Sequence, residues 1–174
     1  MRTLTIALSF AATALAPGAE AQERPDFSGE WTITMDDQRG PGPAAAIEFG
    51  SGWGRTITIE QDASTLTVLW PFYTRGDLQP PLRFIYALDG SPTTTTVLMG
   101  RGMQEQVSRT SWRGDTLVIT TDHAFPHPDD GRRATTTLTR RLSLASPASL
   151  IVETTIDGEP GGPPTASRTV YTRS

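Results

Sequence analysis

The sequence predicts an all-β fold: an antiparallel up-and-down β-barrel of about eight to ten strands, with a two-sheet sandwich as the alternative. Three observations predict it. Beyond the first two dozen residues almost nothing has a helical period; short runs rich in Thr, Val, Ile, Leu and aromatics alternate with polar residues and stop at Gly, Pro or Asp. Ten such runs follow one another with no helix between them to make a crossover, so the sheet is expected to be antiparallel. A weak repeat, "QDASTLTVLW", "WRGDTLVITT" and "SPASLIVETT", sets a small polar turn before a Leu-rich strand, each time as the return arm of a hairpin. A meander of that many strands curls until its edges meet, which removes the free edges that invite aggregation.

In order along the chain, residues 1–21 read as a secretory signal peptide: one basic residue (Arg2), an apolar run from Leu4 to Ala16, a Pro-Gly break and an Ala19-Glu20-Ala21 cleavage site. The apolar run is too short to span a bilayer, and without Cys no lipid can be attached at the cleavage point. A chain cleaved before Gln22 is expected to be exported, periplasmic or secreted, with no stable membrane insertion. Residues 22–174 then form a single domain, roughly 150 residues around one core.

The first strand of that domain, 28–35, puts Trp31, Ile33 and Met35 on one face; 55–61 does the same with Ile57 and Ile59, and 65–71 with Leu66, Val68 and Trp70. Strands are expected next at 82–88, 93–100, 104–113, 116–123, 133–144, 149–156 and 165–173. The later ones are more polar on both faces: Gln104, Gln106, Ser108, Thr110 and Trp112 share one side of 104–113, with Val107, Arg109 and Ser111 on the other. So many polar groups cannot fill a dry core without partners, and part of the interior is expected to be wet or to meet a polar ligand. Two connections are not strand-like: the Gly/Pro-rich 36–54, with Phe49 and Trp53, and "PFYTRGDLQPP" (71–81), with Phe72 and Tyr73. Loops of that length inside one domain tend to carry function.

Composition narrows the chemistry. A net charge of −4, with Arg132-Arg133 and Arg140-Arg141 the only basic pairs, argues against nucleic acid as a partner. The absence of Cys removes thiol nucleophiles, disulfides and Cys-ligated zinc. Every basic residue is Arg, so neither a P-loop lysine nor a Schiff base is available.

At "RPDFSGEWTITM" a Phe followed by Gly-x-Trp opens the first strand (Phe27, Gly29, Trp31). This resembles the start of lipocalins and of the wider calycin group, and the phrasing "FSGEW … RGDTLVITT … ASRTVYTRS" is similar to bacterial exported lipocalin-like proteins. The resemblance implies an antiparallel barrel that binds a small apolar or amphipathic molecule in its cup. It also implies that the Trp closes the barrel floor under an Arg from a late strand, a role open here to Arg140, Arg141 or Arg168. Thr121-Asp122-His123 is a loose echo of the group's Thr-Asp-aromatic motif.

Candidate sites follow from residue chemistry. "TTDHAFPHPDDGRR" (120–133) holds both histidines, His123 and His127, with Asp122, Asp129 and Asp130. A His-x-x-x-His pair shares a face only on a helix, which Pro126 and Pro128 prevent, so the stretch reads as a stiff turn and no metal site is expected. Asp122 and His123 remain the candidates for acid/base catalysis, although adjacent strand residues point to opposite faces. Glu30, Glu60, Glu105 and Glu153 lie on predicted strands, where an outward position is the ordinary one. "RGD" occurs at 75–77 and at 113–115, and Gly-Asp there reads as hairpin-turn chemistry.

The aromatics make the strongest site: Trp53, Trp70, Phe72, Tyr73, Tyr86 and Trp112 supply apolar burial, those in loops capping the mouth, with Arg83 or Arg109 offering a bidentate fork to an anionic head group. The function expected is an exported binding protein for a small apolar or amphipathic molecule, without a cofactor. The alternative is a cofactor-independent isomerase, cyclase or hydratase in the same cavity, using His123 or a buried carboxylate.

Overall fold

Alternation at a period of two lets each strand bury one face, and the chain uses it to roll a single sheet around one core. The computed structural model describes residues 24–33, 52–71, 73–74, 77–78, 80–99, 102–126, 131, 133–157 and 164–174. The signal expected at 1–21, Met35, most of the 36–54 connection with Phe49, Phe72, and His127 with Asp129 and Asp130 lie outside the described residues.

The strands are β1 (Gly29–Ile33), β2 (Thr56–Gln61), β3 (Thr65–Trp70), β4 (Tyr73–Thr74), β5 (Asp77–Leu78), β6 (Leu82–Ala87), β7 (Thr93–Met99), β8 (Gly102–Arg113), β9 (Thr116–Pro126), β10 (Arg133–Ser146), β11 (Ser149–Asp157) and β12 (Thr165–Arg173). Ten of them form one antiparallel sheet in the order β6-β3-β2-β1-β12-β11-β10-β9-β8-β7, and no helix occurs among the described residues. These ten are the ten runs read from the sequence. The structure adds a small hairpin, β4 with β5, where the sequence suggested only a loop. Its register pairs Tyr73 with Leu78 and Thr74 with Asp77.

Hairpin neighbours pair from β1 to β3 and from β7 to β12, β6 pairs with β3, and the ring is drawn together where β1 meets β12, with Trp31 opposite Arg173 and Ile33 opposite Tyr171. The sheet is therefore one nearly closed barrel and not two facing sheets. Its seam falls between β6 and β7, consecutive in the chain but not neighbours in the ladder. Near the turn that joins them, the Thr110 hydroxyl of β8 donates to the Ala87 carbonyl at the end of β6.

One end of the barrel is filled by the segment that precedes β1. Phe27 is fully buried and stacks on Trp112 of β8, ring centroids 6.1 Å apart and planes within 9°. Its amide donates to the Gln61 side-chain carbonyl, Gln61 donates in turn to the Pro25 carbonyl, and Trp31 Nε1 donates to the Phe27 carbonyl at 2.8 Å. Buried large rings contribute most to a core, and here they also supply the polar contacts that fix the entering chain. Arg173 of β12 lies over the Trp31 ring, its guanidinium carbon 4.6 Å from the centroid. The residue that covers this Trp is thus Arg173 and none of Arg140, Arg141 or Arg168. Gly29, at φ +141°, leaves room for it: a Cβ there would stand 3.1 Å from the Arg173 guanidinium. Gly-x-Trp is, in this molecule, a Trp and the gap that admits its cation.

Candidate functional site

Above the floor the interior divides by wall. From β1 to β6 the inward residues include Ile33, Ile57, Ile59, Leu66, Val68 and Phe84, all buried and apolar, with the Tyr86 hydroxyl the polar exception. On the other side alternation turns polar residues inward: Gln106, Ser108 and Thr110 of β8, Thr121 of β9, Arg140 of β10 and Thr154 of β11 are all buried. The polar face of 104–113 read from the sequence is thus the inner one wherever its side chains are described.

Arg140 is the chemical centre of that wall. It shares a face with Leu138 and Leu142, so the alternation that buries two leucines buries a guanidinium between them. Its guanidinium carbon lies 4.7 Å from the Trp53 ring centroid, a desolvated cation–π contact. Trp53 Nε1 donates to the Tyr86 hydroxyl at 3.2 Å, and the Tyr171 hydroxyl donates to the Gly54 carbonyl at 2.8 Å. Burial works against the charged forms of both Arg140 and Tyr86, lowering the pKa of the first and raising that of the second. Each opposes the effect on the other by proximity. A guanidinium stays charged under such a push, so the barrel holds a permanent interior cation.

Trp53 reaches this place because of its neighbours. Gly52 and Gly54 both adopt positive φ, near +85°, and a Cβ on Gly54 would fall 2.1 Å from Trp70 Nε1. The Nε1 edge of Trp70 approaches that bare backbone, and Trp53 turns fully inside. Trp53 is therefore an internal plug and not the mouth-capping ring that its loop position suggested.

His123 sits higher on the same inner face. Its register partners are Gln106 on β8 and Thr136 on β10. Its Nε2 is buried without a hydrogen-bond partner, as are the hydroxyls of Thr154 and Thr93. Burial first, then the Arg140 charge, holds its pKa below the ordinary 6.5, with Asp122 opposing. The imidazole is accordingly neutral at neutral pH. Asp122 faces outward, where it accepts a hydrogen bond from the Thr137 hydroxyl at 2.9 Å. Asp122 and His123 thus do not form a dyad.

The remaining sequence candidates separate. Tyr86 joins the Arg140 cluster, Trp70 supports it from Gly54, and Trp112 belongs to the floor, with Arg24 over its ring at 5.2 Å. Tyr73 lies in β4. Arg83 and Arg109 are exposed on the outer face, so neither forks into the interior; the inward cation is Arg140. Glu30, Glu60, Glu105 and Glu153 also lie outside and exposed. Among the described residues no three His, Asp or Glu gather in a way that would hold a metal ion. Sequence reasoning offered Arg140 only as a possible cover for Trp31, not as the cation of this wall, and did not single out Tyr171. The signal for Arg140 was present as Leu138-x-Arg140-x-Leu142, a charge in register with an apolar face.

No family model, no curated protein and no solved structure matches this chain.

Proposed function

We propose that this protein binds a small apolar or amphipathic molecule inside the barrel, with its polar part toward Arg140 and His123 and its apolar part against the wall formed by β1, β2, β3 and β6. The observation that carries the proposal is the set of buried, inward polar atoms without a partner, His123 Nε2 first among them, in a barrel whose opposite end is filled by aromatic rings. Leaving such atoms unpaired costs roughly 1–3 kcal/mol each, a cost that a bound ligand offsets. An acid/base reaction would need a second titratable partner for His123, and Glu30, Glu60, Glu105, Asp122 and Glu153 all point outward. Binding is the simpler reading.

Export belongs to the same proposal. Arg24, Pro25 and Phe27, just beyond the expected cleavage point before Gln22, are already built into the floor, which supports removal of the segment ahead of them. Native mass spectrometry of the exported protein tests both points. The expected result is a chain starting at Gln22 that carries a small-molecule mass lost on denaturation. A bare chain that also takes up no added amphiphile would refute binding, and a chain retaining residues 1–21 would refute export.

A further inference from the structure

The shape of the polarity says what kind of amphiphile fits. A head-and-tail molecule, such as a simple fatty acid, needs one polar spot and an otherwise apolar lining. This interior has polar groups stacked at successive levels along one wall. Cross-strand partners share a face, so the register sorts them into rows. Thr110, Arg140 and Thr154 occupy the first row with Ile119 among them; Thr93, Ser108 and Thr121 occupy the second; Thr95, Gln106 and His123 occupy the third. Successive rows are two residues apart along each strand, about 6.8 Å. The wall formed by β1, β2, β3 and β6 carries the buried Ile33, Ile57, Ile59, Val68 and Phe84.

Each row contains one buried polar atom without a partner, the Thr154 hydroxyl in the first, the Thr93 hydroxyl in the second and His123 Nε2 in the third, and a fourth such atom, Trp112 Nε1, lies below them at the floor. Other groups on the wall are satisfied within the protein, as in the 2.8 Å bond between the Ser108 and Thr121 hydroxyls. The unmet capacity is therefore spread along the wall and not gathered at the Arg140 end.

From this distribution, and resting on the binding reading above, we infer that the ligand is amphipathic along its length: an apolar framework bearing hydroxyl or carbonyl groups at several positions down one side. Thr hydroxyls donate and accept, and a neutral imidazole nitrogen does one or the other, so uncharged oxygen functions suit all three levels. A hydrocarbon chain with a single polar head would leave two of the three levels unmatched.

Calorimetric titration of the full mature chain with palmitate and with aleuritate tests the inference. These acids have the same length and the same carboxylate, and aleuritate adds two mid-chain hydroxyls and a terminal one. Aleuritate is expected to bind tighter by at least about tenfold, the effect of one to two net hydrogen bonds. Thr154→Val and Thr93→Val, close to isosteric and removing unpartnered hydroxyls, should each narrow that gap. Palmitate binding as tightly as aleuritate, or tighter, overturns the inference while leaving the binding function in place. If neither acid binds, the inference and the binding function fall together, and the polar wall is a hydrated lining. The comparison on the unaltered chain decides even where a variant fails to fold.

Discussion

At the scale of single residues, His123 and Arg140 show how burial sets chemistry. Because His123 is held neutral by desolvation and by the guanidinium two rows below, its NMR titration should centre below 6.5, and Arg140→Met should move it upward. The unfolded chain protonates this group near 6.5 while the fold resists, so its contribution to stability is complete above that pH and is lost as pH falls toward the lowered folded value. A His123→Gln variant should lose that slope in denaturation curves between pH 6.5 and the acid limb. Gly54 is the other telling residue. Its positive φ and the Trp70 indole against its backbone leave no room for a side chain, so Gly54→Ala should cost about 2–4 kcal/mol by urea denaturation. A neutral result would mean that the Trp53 turn is not held by that contact.

At the scale of elements, turns and the floor do the work that fixes register. Asp62 closes the β2–β3 turn by accepting from the Ser64 and Thr65 amides and hydroxyls, at 2.7–2.8 Å, which holds its carboxyl far below the ordinary 3.8. A lowered carboxylate pKa stabilises above the unfolded value and stops doing so as pH falls below it. Asp62→Ala should therefore lower the urea midpoint at pH 7 without changing the m-value, with the difference from the parent shrinking in acid. The segment entering β1 is the second such device. Phe27 is wholly buried against Trp112, and Phe27→Ala should cost about 3–5 kcal/mol, with a change in tryptophan emission as the floor opens. Strand positions were legible from sequence because hydrophobic alternation and Gly-Asp or Asp-x-Ser turns are local signals. The β4–β5 hairpin escaped that reading, since two-residue strands are too short to show alternation.

At the scale of the whole molecule, the barrel is a chain of neighbour pairings closed by one long-range one, β1 with β12, and that closure decides what the interior contains. The sequence by itself determined the all-β class, the ten strands and the inward parity of Trp31, Ile57, Ile59, Leu66 and Val68, because side-chain direction alternates residue by residue and needs no distant partner. Only the tertiary structure decided which polar face turns inside. A strand with Gln106, Ser108 and Thr110 on one side and Val107, Arg109 and Ser111 on the other has no local preference strong enough to choose, and the choice is made by the strands it pairs with. It also decided which arginine covers Trp31. Arg173 is brought there by a pairing across nearly the full length of the chain, while Arg140 is carried by its own strand into the core. Charges placed by register are invisible to a local reading, because the energy that holds them there comes from burying the leucines, isoleucines and rings around them.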